Sequence, residues 1–237
     1  MRIEKGVGIM KKIRNAAAFI TVLFIIFTLI YGEWVKNIYK VDENLIGRIS
    51  STSENYTKID KIPQNLKNAV VAVEDKRFYK HSGVDLISIG RAIVANVKEG
   101  RIKEGGSTIT QQLAKNLFLS GERTFERKFK EMILALEIES KYSKEEILEM
   151  YLNVVYFGSG AHGVQNASKV YFDKNVWELS LGECAMLAGL PQAPSAYNPK
   201  KYYDKAKIRQ EVVLNLMEEN GFIKENKKLE AKKAVLE

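Results

Sequence analysis

The chain has 237 residues, 46% of them hydrophobic, 28% charged and 10% aromatic, and a formal net charge of +8. This is enough to bury one sizeable core, and the balance excludes a disordered chain, a collagen and a multi-span membrane protein. A single cysteine, Cys184, excludes an intramolecular disulfide framework and a cysteine-rich zinc module, and two histidines leave little for a histidine metal site.

Much of the charge sits at the ends. Residues 1–14 carry Arg2, Lys5, Lys11, Lys12 and Arg14 against Glu4 alone. Residues 224–237 hold five lysines against three glutamates. The body between them is therefore close to balanced, and it shows no nucleic-acid docking motif.

From Asn15 to Gly32 run 18 residues without a charge, NAAAFITVLFIIFTLIYG. Extended to Val35, this run is long enough for a single transmembrane helix, with Tyr31 and Trp34 at the interface. The basic flank predicts a cytoplasmic amino terminus and a body on the outer face. A cleaved signal peptide would have a shorter apolar region and a small-x-small site, but this run ends in YGEWVKN. Residues 36–61 are polar and mixed and read as a stalk.

From Pro63 the pattern turns helical. QNLKNAVVAVED reads as one helix, and Asp85 caps a second that ends at Gly100. Its apolar residues, including Ile87, Ile89, Ile93 and Val94, are expected mostly in the core, with lipid contact as the alternative. Ser107 or Thr108 opens ITQQLAKNLFL, and Thr124 caps a helix running to about Tyr142. On that last helix Phe125, Phe129, Met132, Ile133 and Leu136 form the expected core stripe. Leu134 and Ile138 lie off it, so a second face is expected to be buried, with Glu131 turned from open solvent. Arg127 and Lys128 precede Glu131 by four and three residues and can lie beside it, either as a surface ion pair or as bases around an acid lining a cleft; helix geometry does not choose between the two. Ser143 with Glu146 and Ser180 with Glu183 form capping-box patterns. The expected fold is mainly α.

Gly158-Ser-Gly160-Ala-His-Gly163 matches GxGxxG, but no strand–helix alternation surrounds it, so a glycine-rich loop is the better reading. Cys184 lies in the apolar GECAMLAGL with no base beside it and reads as a buried thiol. His81 reads as structural. What remains is five blocks rich in carboxylates, amides and bases. These are Glu74–Gly83, EDKRFYKHSG; Gly105–Asn116, GGSTITQQLAKN; Arg127–Glu131, RKFKE; Glu146–Gly158, EILEMYLNVVYFG; and Leu187–Ser195, LAGLPQAPS.

In order and spacing, these blocks closely resemble the peptidoglycan glycosyltransferase module, found alone in monofunctional transglycosylases and at the front of bifunctional penicillin-binding proteins. The resemblance runs from about Ile62 to Ile223. It implies a lysozyme-like, mainly α domain over 62–223, with a smaller membrane-proximal lobe, between the stalk and a basic tail at 224–237. It implies an enzyme at the bacterial cytoplasmic membrane that polymerises lipid II into a growing β-1,4 glycan strand, with inversion, releasing undecaprenyl pyrophosphate. Other cell-wall synthesis proteins are implied partners; nucleic acid is not. No Ser-x-x-Lys occurs, so the transpeptidase chemistry of the bifunctional relatives has no counterpart in this sequence.

By the same resemblance, Glu74 is the general base on the acceptor hydroxyl, with Asp75 able to press its pKa upward. Glu131 is the second catalytic carboxylate. Two roles stay open for it: orienting the donor, or holding a divalent metal, Mg or Mn, on the pyrophosphate. A bare carboxylate would repel pyrophosphate, so cations must intervene. Lys115 and Arg123 match pyrophosphate-contact positions, and Arg127 and Lys128 are further candidates. Ser107, Gln111, Gln112 and Asn116 can donate hydrogen bonds, and amides at the start of their helix, near Ser107, could add anion binding.

Overall fold

The structure, a computed structural model, describes residues 28–100, 105–122 and 124–233, with Arg14, Ala18, Phe19, Thr21, Val22 and Ile26 before them. It divides into two compact units, 1–40 and 41–237. In the first, residues 28–39 are helical. Among the described residues no helix is long and apolar enough to cross a membrane. The expected span at 15–35 lies partly, and the basic residues before Arg14 wholly, outside the described residues.

The second unit is built from ten α-helices and one short hairpin among the described residues, with three single-turn 3-10 helices in the connections: α1 Leu45–Thr52, α2 Gln64–Glu74, α3 Leu86–Glu99, α4 Ile109–Phe118, α5 Phe125–Lys141, α6 Lys144–Val154, β1 Tyr156–Gly158, β2 Ala161–His162, α7 Val164–Phe172, α8 Leu181–Gly189, α9 Tyr203–Glu219 and α10 Glu225–Lys233. Local chemistry sets many of the helix starts. Asp85 accepts from the amides of Ile87 and Ser88, while Thr108, Ser143 and Ser180 head reciprocal capping boxes with Gln111, Glu146 and Glu183. Gly100 closes α3 in the left-handed conformation.

Two helix groups form the core. In one, α2, α8 and α9 pack together; in the other, α4, α5 and α6 do. Helix α8 is buried all round, Cys184 included, and burial pushes that thiol up to about 12. The GxGxxG run is the β1–β2 antiparallel hairpin leading into α7, without a βαβ unit.

Several boundaries and faces differ from the sequence expectation. Residues 41–61 are part of the body: Leu45 and Ile49 are buried, and the Leu45 amide donates to the Tyr142 hydroxyl at 3.0 Å. The pattern was too short to show a helix of eight residues. The tail forms α10, whose Ala231 is buried. On α5 the buried residues are Glu131, Leu134, Ala135 and Ile138, while Phe125 is 98% exposed and Leu136 half exposed. The helix packs on α4 and α6 through the narrower face that includes the carboxylate, so the aromatic stripe is not the core. Helix α3 buries only Ala92 and leaves Leu86, Ile87, Ile93, Val94 and Val97 exposed, so core packing does not account for its apolar residues.

Candidate active site

The two helix groups meet where α2 ends. Leu66, Ala69, Val70, Val71 and Ala72 bury α2 and bring its last residue, Glu74, to the join. Its neighbour Asp75 is 7% exposed, and one oxygen, Oδ2, accepts from the Ile109 amide at 3.1 Å and meets His81 Nε2 at 2.9 Å. This strut ties the end of α2 to the start of α4. Thr108 adds a second tie, donating from Oγ1 to the Gly83 carbonyl at 2.6 Å.

Glu74 is aimed by a short relay. Gln112 Nε2 donates to Glu74 Oε2 at 2.7 Å, and the buried Tyr151 hydroxyl donates to Gln112 Oε1 at 3.3 Å. Burial also holds the Tyr151 phenol well above its ordinary pKa, so it stays a donor. Glu74 keeps a part-exposed edge, yet desolvation by the crowding protein raises its pKa. The Gln112 hydrogen bond and the charges of Arg209 and Lys115 pull the other way, and Asp75 adds a smaller push upward. Desolvation, more than like-charge pressure from Asp75, makes this carboxylate basic.

Glu131, 3% exposed, is instead held by two basic side chains. Arg127 Nη1 donates to its Oε1, and Lys128 Nζ to its Oε2 at 2.8 Å; Lys128 Nζ also reaches Ser107 Oγ at 2.7 Å. Lys115 acts on both carboxylates. Its pKa is lowered, first by desolvation, with Glu131 raising it, Arg127 and Lys128 lowering it and Glu74 raising it. The residues around Glu131 do not fit a divalent cation. Both its oxygens are taken by basic side chains, and among the described residues no group of three His, Cys, Asp or Glu could hold a metal.

Two hollows open on these groups. A cleft of about 410 Å³ is lined by Glu74, Asp75, Ser107, Gln192 and Arg209, among others. A recess of about 370 Å³ is lined by Lys115, Asn116 and Arg127 with the 119–121 loop. A larger hollow of about 650 Å³, near α8 and α10, is lined by neither Glu74 nor Glu131.

The structure therefore gathers Glu74, Gln112, Ser107, Lys115, Asn116, Arg127, Lys128 and Glu131 around one join. Gln111 is placed differently: it is fully buried, and its Oε1 accepts from the Thr108 amide at 3.0 Å to complete the cap. The α4 amides are also engaged, Ile109 by Asp75 and Gln111 by Thr108, which removes most of the expected anion site there. Arg123 lies outside the described residues. Sequence reasoning missed Gln192 and Arg209. The first stands inside the fifth block, while nothing in the pattern marks the second.

A family model described as Transglycosylase matches residues 42–218. The chain belongs to the transglycosylase family. It is 52% identical over 186 residues to Penicillin-binding protein 1A of Aquifex aeolicus (strain VF5), covering 78% of this chain and 26% of that protein. It is likewise 52% identical over 186 residues to Penicillin-binding protein 1A of Neisseria gonorrhoeae, covering 78% and 23%. This transglycosylase-family chain thus spans about a quarter of the length of the curated relatives it matches. Among solved structures it is similar to Penicillin-Binding Protein 1A from Haemophilus influenzae, at 25% identity and a TM-score of 0.47, over 77% of this chain and 18% of that one.

Proposed function

We propose that this chain is a membrane-anchored peptidoglycan glycosyltransferase that polymerises lipid II. The observation that carries this reading is the pairing of two unlike carboxylates: Glu74, desolvated and without an ion pair among the described residues, and Glu131, neutralised by Arg127 and Lys128. A single inverting displacement needs this asymmetry, a base at the nucleophile and positive charge at the leaving group. The acceptor's 4-hydroxyl oxygen attacks C1 of the donor's N-acetylmuramic acid while its proton passes to Glu74. The bond from C1 to undecaprenyl pyrophosphate breaks, and the pyrophosphate keeps the electron pair. Lys115 and Arg127 meet that charge from the second recess, with Lys128 and, by family position, Arg123 as further cations. Glu131 fixes Arg127 and Lys128 rather than touching the phosphates itself. No metal is needed in this scheme.

The membrane completes the reading. The basic residues before Asn15 and the uncharged run at 15–32, extended to Val35, support a single-pass anchor with a cytoplasmic amino terminus and the catalytic unit outside. The exposed apolar residues of α3 suit a second contact with lipid. An anchor there holds the catalyst beside a substrate whose lipid tail stays in the bilayer.

The test is incubation of the full chain with lipid II in detergent. The expected result is a ladder of glycan strands with release of undecaprenyl pyrophosphate. Shortening of preformed glycan, without polymerisation, would overturn the reading in favour of a muramidase.

A further inference from the structure

Arg209, on α9, lines the same cleft as Glu74. Its side chain is held in three ways. It crosses Gly189 of α8 so closely that a Cβ there would stand 2.8 Å from Arg209 Cγ. Its Nε donates to the Gly189 carbonyl at 3.2 Å, and its guanidinium lies 5.7 Å from the centre of the Tyr197 ring. Among the described residues it forms no ion pair, so a fixed, half-buried cation is left facing the cleft.

Glu74 has a problem that such a cation solves. Desolvation makes it a stronger base but also favours its protonated form, which cannot accept a proton. A direct ion pair would restore the charge while covering the oxygens that the acceptor hydroxyl must reach. A rigid guanidinium that acts on the carboxylate without bonding to it keeps the charge and leaves the oxygens open. Resting on the reading of Glu74 as the base, we propose that Arg209 is a positioning residue that keeps Glu74 ionised and accessible for the acceptor's proton.

The other groups around Glu74 do not duplicate this role. Asp75, its neighbour on α2, opposes ionisation; Gln112 of α4 is uncharged; and Tyr151 of α6 stays protonated. Lys115 of α4 helps, but it also answers to Glu131, and its effect on Glu74 is smaller than that of Arg209. Lys76, Arg91 of α3 and Glu219 of α9 line the same cleft. Arg209 carries the largest stabilising charge on Glu74.

The experiment compares the full chain with Arg209→Gln, Arg209→Met and Arg209→Lys in detergent micelles. Carboxyl carbon-13 NMR follows the titration of Glu74, whose signal is assigned by its disappearance in Glu74→Gln. In the glutamine and methionine variants the midpoint is expected to rise by about half a pH unit or more, with the lysine variant close to wild type. The acidic limb of kcat/KM for lipid II polymerisation should move with it. A merely structural Arg209 would lower activity at every pH without moving either. An unmoved midpoint in whichever neutral variant melts as a folded protein overturns the proposal. The titration is read without substrate, so it decides the role of Arg209 even if wild type fails to polymerise lipid II, an outcome that would overturn only the functional reading.

Discussion

Replacing Glu74 by glutamine should cripple catalysis and stabilise the fold at the same time. The carboxylate has sites for about four hydrogen bonds, yet its only direct partner among the described residues is Gln112. Its pKa is raised in the folded chain, first by desolvation. For a carboxyl shifted this way, the contribution to folding is complete below the unfolded pKa and is lost as pH rises through the folded one. At neutral pH the ionised Glu74 therefore costs stability, and a neutral amide of the same shape, still accepting from Gln112, removes that cost. Allowing for solvent at the exposed edge, the gain is about 1 kcal/mol, which for a chain of this length raises the melting midpoint by roughly 2–4 °C. Loss of the base should slow polymerisation about 10²- to 10⁴-fold. Calorimetry at about pH 7.5 and about pH 4.5, beside a lipid II assay, reads both effects. The stability gain should shrink at the lower pH, where wild-type Glu74 takes up its proton. A midpoint that is unchanged or lower at neutral pH, or a gain that persists in acid, would refute the desolvation argument, and retained polymerisation would refute the assignment of the base.

Glu131→Gln should move stability the other way, because it leaves Arg127 and Lys128 without their counter-charge; a loss of roughly 2 kcal/mol is expected by denaturant titration, with polymerisation falling about 100-fold or more. Gly83→Ala should destabilise by about 2 kcal/mol or more. The residue sits at φ 85°, and an added Cβ would stand 2.9 Å from the backbone carbon and oxygen of Ala135; the same denaturant titration reads the loss. Chelation by EDTA should leave the polymerisation rate within about twofold, since the cations around Glu131 belong to the protein; a larger drop that is restored by Mg or Mn would restore the metal role for Glu131.

The parts that were legible in the sequence are those written in local chemistry. Asp85, Thr108, Ser143 and Ser180 each carry the signal for a helix start within three or four residues, and the structure uses all four. The neighbours of Glu131 were legible for the same reason, because i+3 and i+4 spacing on one helix fixes which side chains meet. Faces were harder. Phe125 and Leu136 look like core by periodicity, but a helix can leave apolar residues exposed when another face, here Leu134, Ala135, Ile138 and the ion-paired Glu131, does the packing. Arg209 was invisible because what sets its position is a packing event between α8 and α9, with Gly189 20 positions away in the chain. Gln111 and Gln112, adjacent and chemically identical, could not be told apart until the cap claimed one and Glu74 the other.

The separation of those two glutamines shows how the site is made. Thr108, Gln111 and Asp75 fix where α4 begins, and once that register is set, Gln112 and Lys115 fall three residues apart on the same side of the helix. Gln112 then reaches Glu74, and Lys115 stands within the fields of both Glu74 and Glu131. On the proposed reading, this buried cap thereby sets the geometry between the base and the cations that meet the leaving group. Disrupting it should harm catalysis through the register of α4, which makes the cap part of how the fold positions its chemistry.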